Sequence, residues 1–556
     1  MATWAQSFSI GGHRTVFDSR YNMWLCTIPQ EHFGTDWTTT ISYVDTLVTE
    51  IEIEGNVIGG GGSVTFEGIG SGKEYEAAVY VGDSLITGKI AFTWLPILEL
   101  NGTFGNEYEY GTVTINHPDS ADAEPLMAKL KWRGISTNKA KSNKRNYRIK
   151  FINKEDSTKE NHRFFGLRND NSWILDAGQM DFLRVRNRVS TDLWLDMARR
   201  PWYSDSLPNA RNGSRGQIVE VLLNGQYMGI YNMCEPIDRK QMKLKRYDEE
   251  NNEFHGGLWM AYTWTRTVTM SNPAWLSPNS PTWGGFEIKY PDPDEVTQMN
   301  WGVLYNAVWF ANRANNDHSL SVDSLSYYFD IPVLQDYYIF IAALQALDHE
   351  SKNIFYASYD TQGHPRLTIA PWDLDICLGQ NYSPQVNMPD MVKPERDMDW
   401  VSHLPMNCMM ENVEYRNQVI ERYWELRETK LNTDSLVNRY RSAIDELENC
   451  GAASREERRW SRDTDLAKKK LDLSQEMDYV EDWIRRRMVY LDEHVFCIYP
   501  KGDVNGDKEV NIADINALID IILGGADNSQ GRSDVNKDNE VNISDINEVI
   551  DIILKG

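Results

Sequence analysis

The first hundred residues alternate polar and apolar positions in short runs. Arg14–Phe17, Thr38–Val44, Glu50–Glu54, Ser63–Phe66 and Tyr75–Val81 carry this pattern, the period of a strand with one buried face. Gly-rich turns such as Gly59-Gly60-Gly61-Gly62 separate them. Residues 1–104 are therefore expected to form a small β-sandwich, an accessory or spacer domain, with carbohydrate binding as the alternative role. Beyond it the periods mix. Thr112–Ile115, Ala128–Trp132 and Tyr147–Ile152 are strand-like, whereas Asp181–Arg199 sets Leu183, Val189, Leu193, Leu195 and Met197 at helical spacing. Ile218–Leu223 and Tyr227–Asn232 flank Asn224-Gly225, a pair that tolerates the positive φ angles of a two-residue hairpin turn.

From about 300 the helical period dominates. Val333–Leu347 is strongly apolar, and Pro332 suits its start because the first helical N–H lacks a partner anyway. Tyr415–Leu447 and Leu466–His494 read as long amphipathic helices. A short β insertion, Ile354–Tyr359 and Arg366–Ile369, interrupts them. Pro500 and Gly502 then mark residues 498–502 as a linker. The fold class is multidomain α+β.

At 556 residues the chain exceeds one hydrophobic core and suits about three or four domains. Its net charge of −25 argues against nucleic acid as a partner. Part of that charge is local: Lys501–Gly556 holds twelve Asp and Glu against five Lys and Arg. No stretch approaches the ~20 apolar residues of a transmembrane segment. The N-terminus shows no signal peptide, and a chain starting after a removed export signal would look the same. The six cysteines contain no CxxC pair, so buried free thiols are expected. Most of the nineteen tryptophans, for example Trp194, Trp309 and Trp483, sit in apolar periodic stretches and read as core. Pro273–Pro281, with Trp275, reads as a surface loop.

Residues 503–556 repeat with a period of 31. Asp503, Asn505, Asp507, Glu509, Asn511 and Asp514 recur as Asp534, Asn536, Asp538, Glu540, Asn542 and Asp545. Side-chain oxygens fall at positions 1, 3, 5, 9 and 12 of a twelve-residue loop, and position 7 offers its backbone carbonyl. That is the ligand pattern of an EF-hand-like loop for Ca²⁺, so two Ca²⁺ ions are expected and folding should depend on them. Each loop leads into an apolar helix, Ile515–Leu523 and Ile546–Leu554. The segment 503–556 resembles a type I dockerin, which implies docking onto a cohesin-like module and an extracellular or cell-surface location. Position 6 is Lys508 and Asn539 where Gly eases the turn, and positions 10 and 11 are Ile512-Ala513 and Ile543-Ser544.

Three further segments carry candidate chemistry. Asp348 and Asn353, five residues apart after an apolar helix, have the spacing of a kinase catalytic loop. Asp373 and Asp375, alternate residues of what reads as an extended segment, would share a face and a metal, Mg²⁺ or Mn²⁺. Lys150, on a strand that follows the donor-rich turn Arg133–Asn138, suits nucleotide phosphates; Arg133 and Ser136 belong to that turn. His349 is either catalytic or a brace for the loop. These segments, with Trp132-Arg133-Gly134, Tyr147–Phe151, Trp173–Leu175, Asp181, Arg186-Asn187, Leu223–Tyr231 leading to Glu235, and Trp372–Asp375, resemble the CotH family of spore-coat kinase-like proteins over about 105–497. The resemblance implies a two-lobed atypical protein kinase that passes the ATP γ-phosphoryl to Ser or Thr of an exported protein. It assigns phosphate contact to Lys150, acceptor orientation to Asp348, metal to Asn353 and Asp373, and the adenine hinge to Cys234-Glu235-Pro236. A kinase-like adaptor without catalysis and a carbohydrate-active enzyme using Asp348 and Asp373 as acid and base are the alternatives.

Overall fold

The computed structural model describes residues 8–43, 47–120, 123–134, 138, 144–316, 322–380, 392–461, 470–526, 532–536, 538 and 540–555. The alternating N-terminal runs become β1 (Phe8–Ile10), β2 (His13–Asp18), β3 (Met23–Thr27), β4 (Trp37–Tyr43), β5 (Val48–Ile53), β6 (Asn56–Ile58), β7 (Ser63–Phe66), β8 (Glu74–Val81) and β9 (Ser84–Thr93). They form one nine-stranded sheet in the order β6-β5-β8-β9-β3-β2-β1-β4-β7. The sheet rolls over its own core. Phe66 on the β7 edge lies 4.9 Å from Phe92 and 5.0 Å from Tyr75, ring to ring. The region is thus β-rich as expected, and it is one continuous sheet rather than two, because the parallel pairing of β3 with β9 joins its halves.

The next strands are β10 (Ile97–Asn101), β11 (Glu109–Asn116), β12 (Leu126–Arg133), β13 (Asn146–Phe151), the small pair β14 (His162–Arg163) and β15 (Asn169–Asp170), β16 (Ser172–Asp176), β17 (Gly216–Leu223) and β18 (Gln226–Cys234). All but β14 and β15 close into a barrel, in the order β10-β11-β12-β13-β16-β18-β17, sealed by parallel pairing of β10 with β17. Leu100, Leu130, Ile149, Trp173 and Val221 fill it. β10 joins this barrel although it precedes the boundary expected at 104. Asn224 and Gly225 take φ of 49° and 68° in the β17–β18 turn, as that pair predicts.

A five-stranded sheet faces the barrel, built from β19 (Gly257–Ala261), β20 (Thr282–Trp283), β21 (Phe286–Tyr290), β22 (Ile354–Asp360) and β23 (His364–Pro371) in the order β20-β21-β19-β22-β23. The short β insertion of the sequence reading is the far half of this sheet. Ile174 and Cys234, on the outer face of the barrel, pack with Leu258, Phe355 and Ala370 of the sheet and with Trp372 just past β23. This apolar seam holds the two bodies together, and the candidate site lies along it.

Helices cover the other side. Ile331–Leu344 is buried at every position but Pro332, which sits exposed in its first turn. The single helix expected over 415–447 divides into Val413–Arg427 and Thr433–Asn449. Asn432 breaks it by accepting the N–H groups of Asp434 and Ser435, a side-chain cap that starts a new helix. Leu473–Tyr490 follows, and residues 466–469 of its expected start lie outside the described residues. All six cysteines are free thiols. Two final helices, Ile512–Ile522 and Ile543–Lys555, share a small core of Val504, Leu518, Val535 and Val549. Among the described residues no helix is long and apolar enough to cross a membrane.

Candidate active site

The buried helix Ile331–Leu344 stops at Gln345, whose left-handed conformation turns the chain into a tight 3-10 turn, Leu347–Glu350. This turn presents Asp348, which is 6 % exposed. Its Oδ2 meets Lys352 Nζ at 2.7 Å and Asn353 Nδ2 at 3.5 Å. Its Oδ1 is buried and accepts no hydrogen bond from any described residue. An unpaired buried carboxylate oxygen costs free energy unless a ligand supplies the donor.

His349 braces this turn. Burial pushes its imidazole down to about 4, so the ring is neutral at physiological pH. Nε2 lies 2.8 Å from the Trp372 carbonyl. A carbonyl only accepts, so Nε2 carries the hydrogen and Nδ1 does not. Tyr337 donates to the His349 carbonyl at 2.7 Å, and the Trp372 N–H donates to the Asn353 carbonyl at 2.9 Å. The Asp348 turn and the Asp373 segment therefore form one hydrogen-bonded unit.

Asp373 does not lie on an extended segment. β23 ends at Pro371, and Asp373 takes φ of 67° in the turn that follows, so the alternation expected for Asp373 and Asp375 does not apply. The turn is set by two partners that the spacing could not reveal. Asn187 Oδ1 accepts the Leu374 N–H at 3.0 Å, while its Nδ2 donates to Asp176 Oδ2 at 2.7 Å. Asn187 is oriented in turn by its neighbour Arg186, which is fully buried between Asp181 and Glu476 at 2.7 and 2.6 Å.

The result is a crowd of carboxylates. The surrounding protein, then Asp176 and Asp348, push Asp373 up to about 6, with Arg133 and Lys352 opposing. Burial, then Asp373 and Asp176, hold Asp375 well above the usual carboxylate range. Like charges gathered against few cations are relieved by a divalent cation. The donor set of carboxylates and an amide is hard oxygen, which suits Mg²⁺ or Mn²⁺. Among the described residues no three His, Cys, Asp or Glu side chains stand together at metal-ligand spacing. A cation here would complete its shell with water or phosphate oxygens, as Mg²⁺ commonly does.

The barrel's outer face supplies cations. The Arg133 guanidinium lies 5.1 Å from the Trp372 ring centroid. Arg148 points the same way as Ile174, its cross-strand partner. Lys150 pairs with Ser172, one pleat farther from the Asp176 end of β16. Its ammonium lies over the Tyr108 ring at 4.7 Å, and Lys131 shares that ring. Burial and the nearby Arg148 and Lys159 lower its pKa. The structure brings Arg133, Asp348, Asn353, Asp373 and Asp375 together, whereas Lys150 makes no ion pair among the described residues and acts on Arg148 and Asp292 and not on this group. Glu235, at the end of β18, is buried and accepts from Arg168 N at 2.8 Å and Arg215 Nη2 at 2.6 Å. It braces this corner with Arg168 and Arg215 as its partners, and the carboxylate that acts on Lys150 is Asp292. Ser136 lies outside the described residues. Asp176 and Lys352, absent from the sequence-level set, belong to the cluster.

The C-terminal repeat has the same geometry twice. Asp514 Oδ1 accepts the N–H groups of Val504 and Asn505 at 2.7 and 3.0 Å, and its Oδ2 accepts from Asn511 at 2.9 Å. Asp545 does the same with Val535, Asn536 and Asn542 at 2.7, 3.1 and 2.9 Å. Asp503 takes Gly506 N and Lys508 N. Lys508 adopts φ of 71° at position 6, the conformation for which Gly is preferred. Asn539 lies outside the described residues. Ile512 and Ile543 are 72 % and 70 % exposed, and Leu523 and Leu554 are both 78 % exposed, so an apolar stripe recurs on both helices.

The chain matches the CotH kinase protein family over residues 130–491, more than half its length. It belongs to the CotH family. The type I dockerin domain matches residues 501–554. No curated protein matches the chain. This CotH-family chain is thus a kinase-like protein with a dockerin, a module that implies calcium binding, a cohesin partner and use in extracellular or cell-surface assemblies.

Proposed function

We propose that this CotH-family protein is an exported Ser/Thr protein kinase, anchored in its assembly by a calcium-loaded dockerin. The observation that supports it most is the unpaired, buried Oδ1 of Asp348 beside the carboxylates of Asp373 and Asp375. The attacking Ser or Thr hydroxyl donates its hydrogen bond to that oxygen. Lys352 and Asn353 hold the other oxygen, so the carboxylate cannot rotate away. As the new oxygen–phosphorus bond forms, the bond from the γ-phosphorus to the β–γ bridging oxygen breaks. The hydroxyl proton passes to Asp348, and ADP leaves. Arg133, stacked on Trp372, balances charge on the transferred phosphoryl. Lys150 and Arg148 gather the remaining phosphates along the barrel. Mg²⁺ or Mn²⁺, held by Asp373, Asn353 and Asp375, would neutralise the phosphate oxygens. Cys234 and Glu235 border the adenine.

The residues at loop positions 1, 3, 5, 7, 9 and 12, Asp503 to Asp514 and Asp534 to Asp545, hold two Ca²⁺. The paired stripes led by Ile512 and Ile543 face the cohesin-like partner. Labelled ATP with Mn²⁺ tests the kinase: the protein should label itself or an added secreted protein, and Asp348→Asn should abolish labelling without loss of fold. A wild-type protein that neither labels nor gains thermal stability with ATP and Mn²⁺ would be a non-catalytic adaptor.

A further inference from the structure

Trp264 is a large aromatic left 55 % exposed beside the Asp348 turn. Its indole Nε1–H donates to Glu350 Oε1 at 3.1 Å. The other Glu350 oxygen accepts from both the backbone N–H and the hydroxyl of Ser402, each at 2.9 Å. Glu350 sits on the same 3-10 turn as Asp348, with their Cα atoms no more than ~7 Å apart. The backbone leading to Trp264 is tied to the turn as well. Ala261, the last residue of β19, accepts the Asn353 N–H at 2.7 Å and pairs with Ile354.

A tryptophan whose one polar atom is already bonded offers only its ring face. A sugar ring needs that face together with free polar groups for its hydroxyls. Here both Glu350 oxygens already accept hydrogen bonds, from Trp264 and from Ser402, and the Thr265 hydroxyl is bonded to the Gly284 carbonyl. An aromatic or prolyl side chain needs the ring face alone. Resting on the kinase reading, we infer that Trp264 is the acceptor-side specificity residue: it stacks on an aromatic or proline side chain that flanks the Ser or Thr presented to Asp348. Glu350 lies no more than ~7 Å from Asp348, Cα to Cα, and Trp264 meets its side chain. At about 3.3 Å rise per residue, a ring about two to four positions from the acceptor is the expected reach.

The test uses the full chain and synthetic peptides with one Ser and either Tyr, Pro or Ala at each neighbouring position. Hydroxyl-radical footprinting read by mass spectrometry should show Trp264 protected by the Tyr and Pro peptides and not by the Ala peptide. In the ATP transfer assay, Trp264→Ala should raise KM for the Tyr peptide about tenfold with kcat little changed. Trp264→Phe should restore most of it. Protection without transfer would uphold the platform and overturn the kinase. Transfer with no protection and an unchanged KM in Trp264→Ala would overturn the platform and uphold the kinase. Equal protection by all three peptides would also sink it.

Discussion

Asn187 holds Asp176 at 2.7 Å with its amide nitrogen while its amide oxygen takes the backbone N–H of Leu374. One side chain thus joins the end of a barrel strand to the turn that carries Asp373. Asn187→Ala should remove both bonds and cost about 1–3 kcal/mol of stability, read by urea denaturation. Asn187→Asp should cost more, because it adds another carboxylate to the group. Equal stability of both variants and wild type would show that the junction is held elsewhere.

Crowded carboxylates make a site that is costly without its cation. Asp373→Asn should therefore stabilise the metal-free protein, by about 1 kcal/mol after allowance for solvent screening. The same change should abolish the thermal stabilisation produced by Mn²⁺ with ATP. The check is a pair of melting curves, with chelator and with Mn²⁺-ATP. A metal-free variant less stable than wild type would contradict the like-charge account.

Calcium removal should act locally. With a chelator, amide hydrogen exchange should rise across Ile512–Ile522 and Ile543–Lys555 and stay slow in the Ile331–Leu344 helix. Within the first loop, Asp514→Ala should damage folding more than Asp507→Ala, even at saturating Ca²⁺. Asp514 accepts three backbone N–H groups, and its loss leaves them unpaired. Asp507 is exposed and caps one such group, that of Glu509.

Asp330 gives a pH signature far from the carboxylate group. Burial pushes it up to about 6, against the hydrogen bond from Trp202 N and the nearby Arg366 and Arg199. Between the unfolded value near ~4 and this folded value, the unfolded chain releases the proton first. The folded state then binds more protons, so this residue's contribution to stability falls as pH rises through that window. Asp330→Asn has no such slope. Denaturation at several pH values should show the variant gaining on wild type from about pH 4 to 6, by on the order of 2–3 kcal/mol, and levelling above. A constant difference would place the Asp330 proton elsewhere.

Local pattern was enough for much of this chain. Alternation marked the N-terminal strands, Asn224-Gly225 marked its hairpin, and the repeat of 31 residues marked both loops of the dockerin. The spacing of Asp348 and Asn353 named two residues that do share a turn, because only five positions of chain separate them. The apolar period runs on through Tyr415–Leu447 and hides the break, which only the local cap Asn432-Thr433-Asp434 marks. Other features needed the folded chain. β19 pairs with β21 nearby, but its other edge is filled only when β22 arrives from far along the chain.

The repeat, the hairpin and the spacing of Asp348 and Asn353 depend on contacts within a few residues, so the order of amino acids alone determines them. Asp176 and Asn187 meet the Asp373 turn only because the barrel closes and Arg186 is buried against Glu476, 290 positions away. Side chains that distant come together through burial and long-range pairing, whose free energy belongs to the whole packed interior and leaves no trace in any one segment.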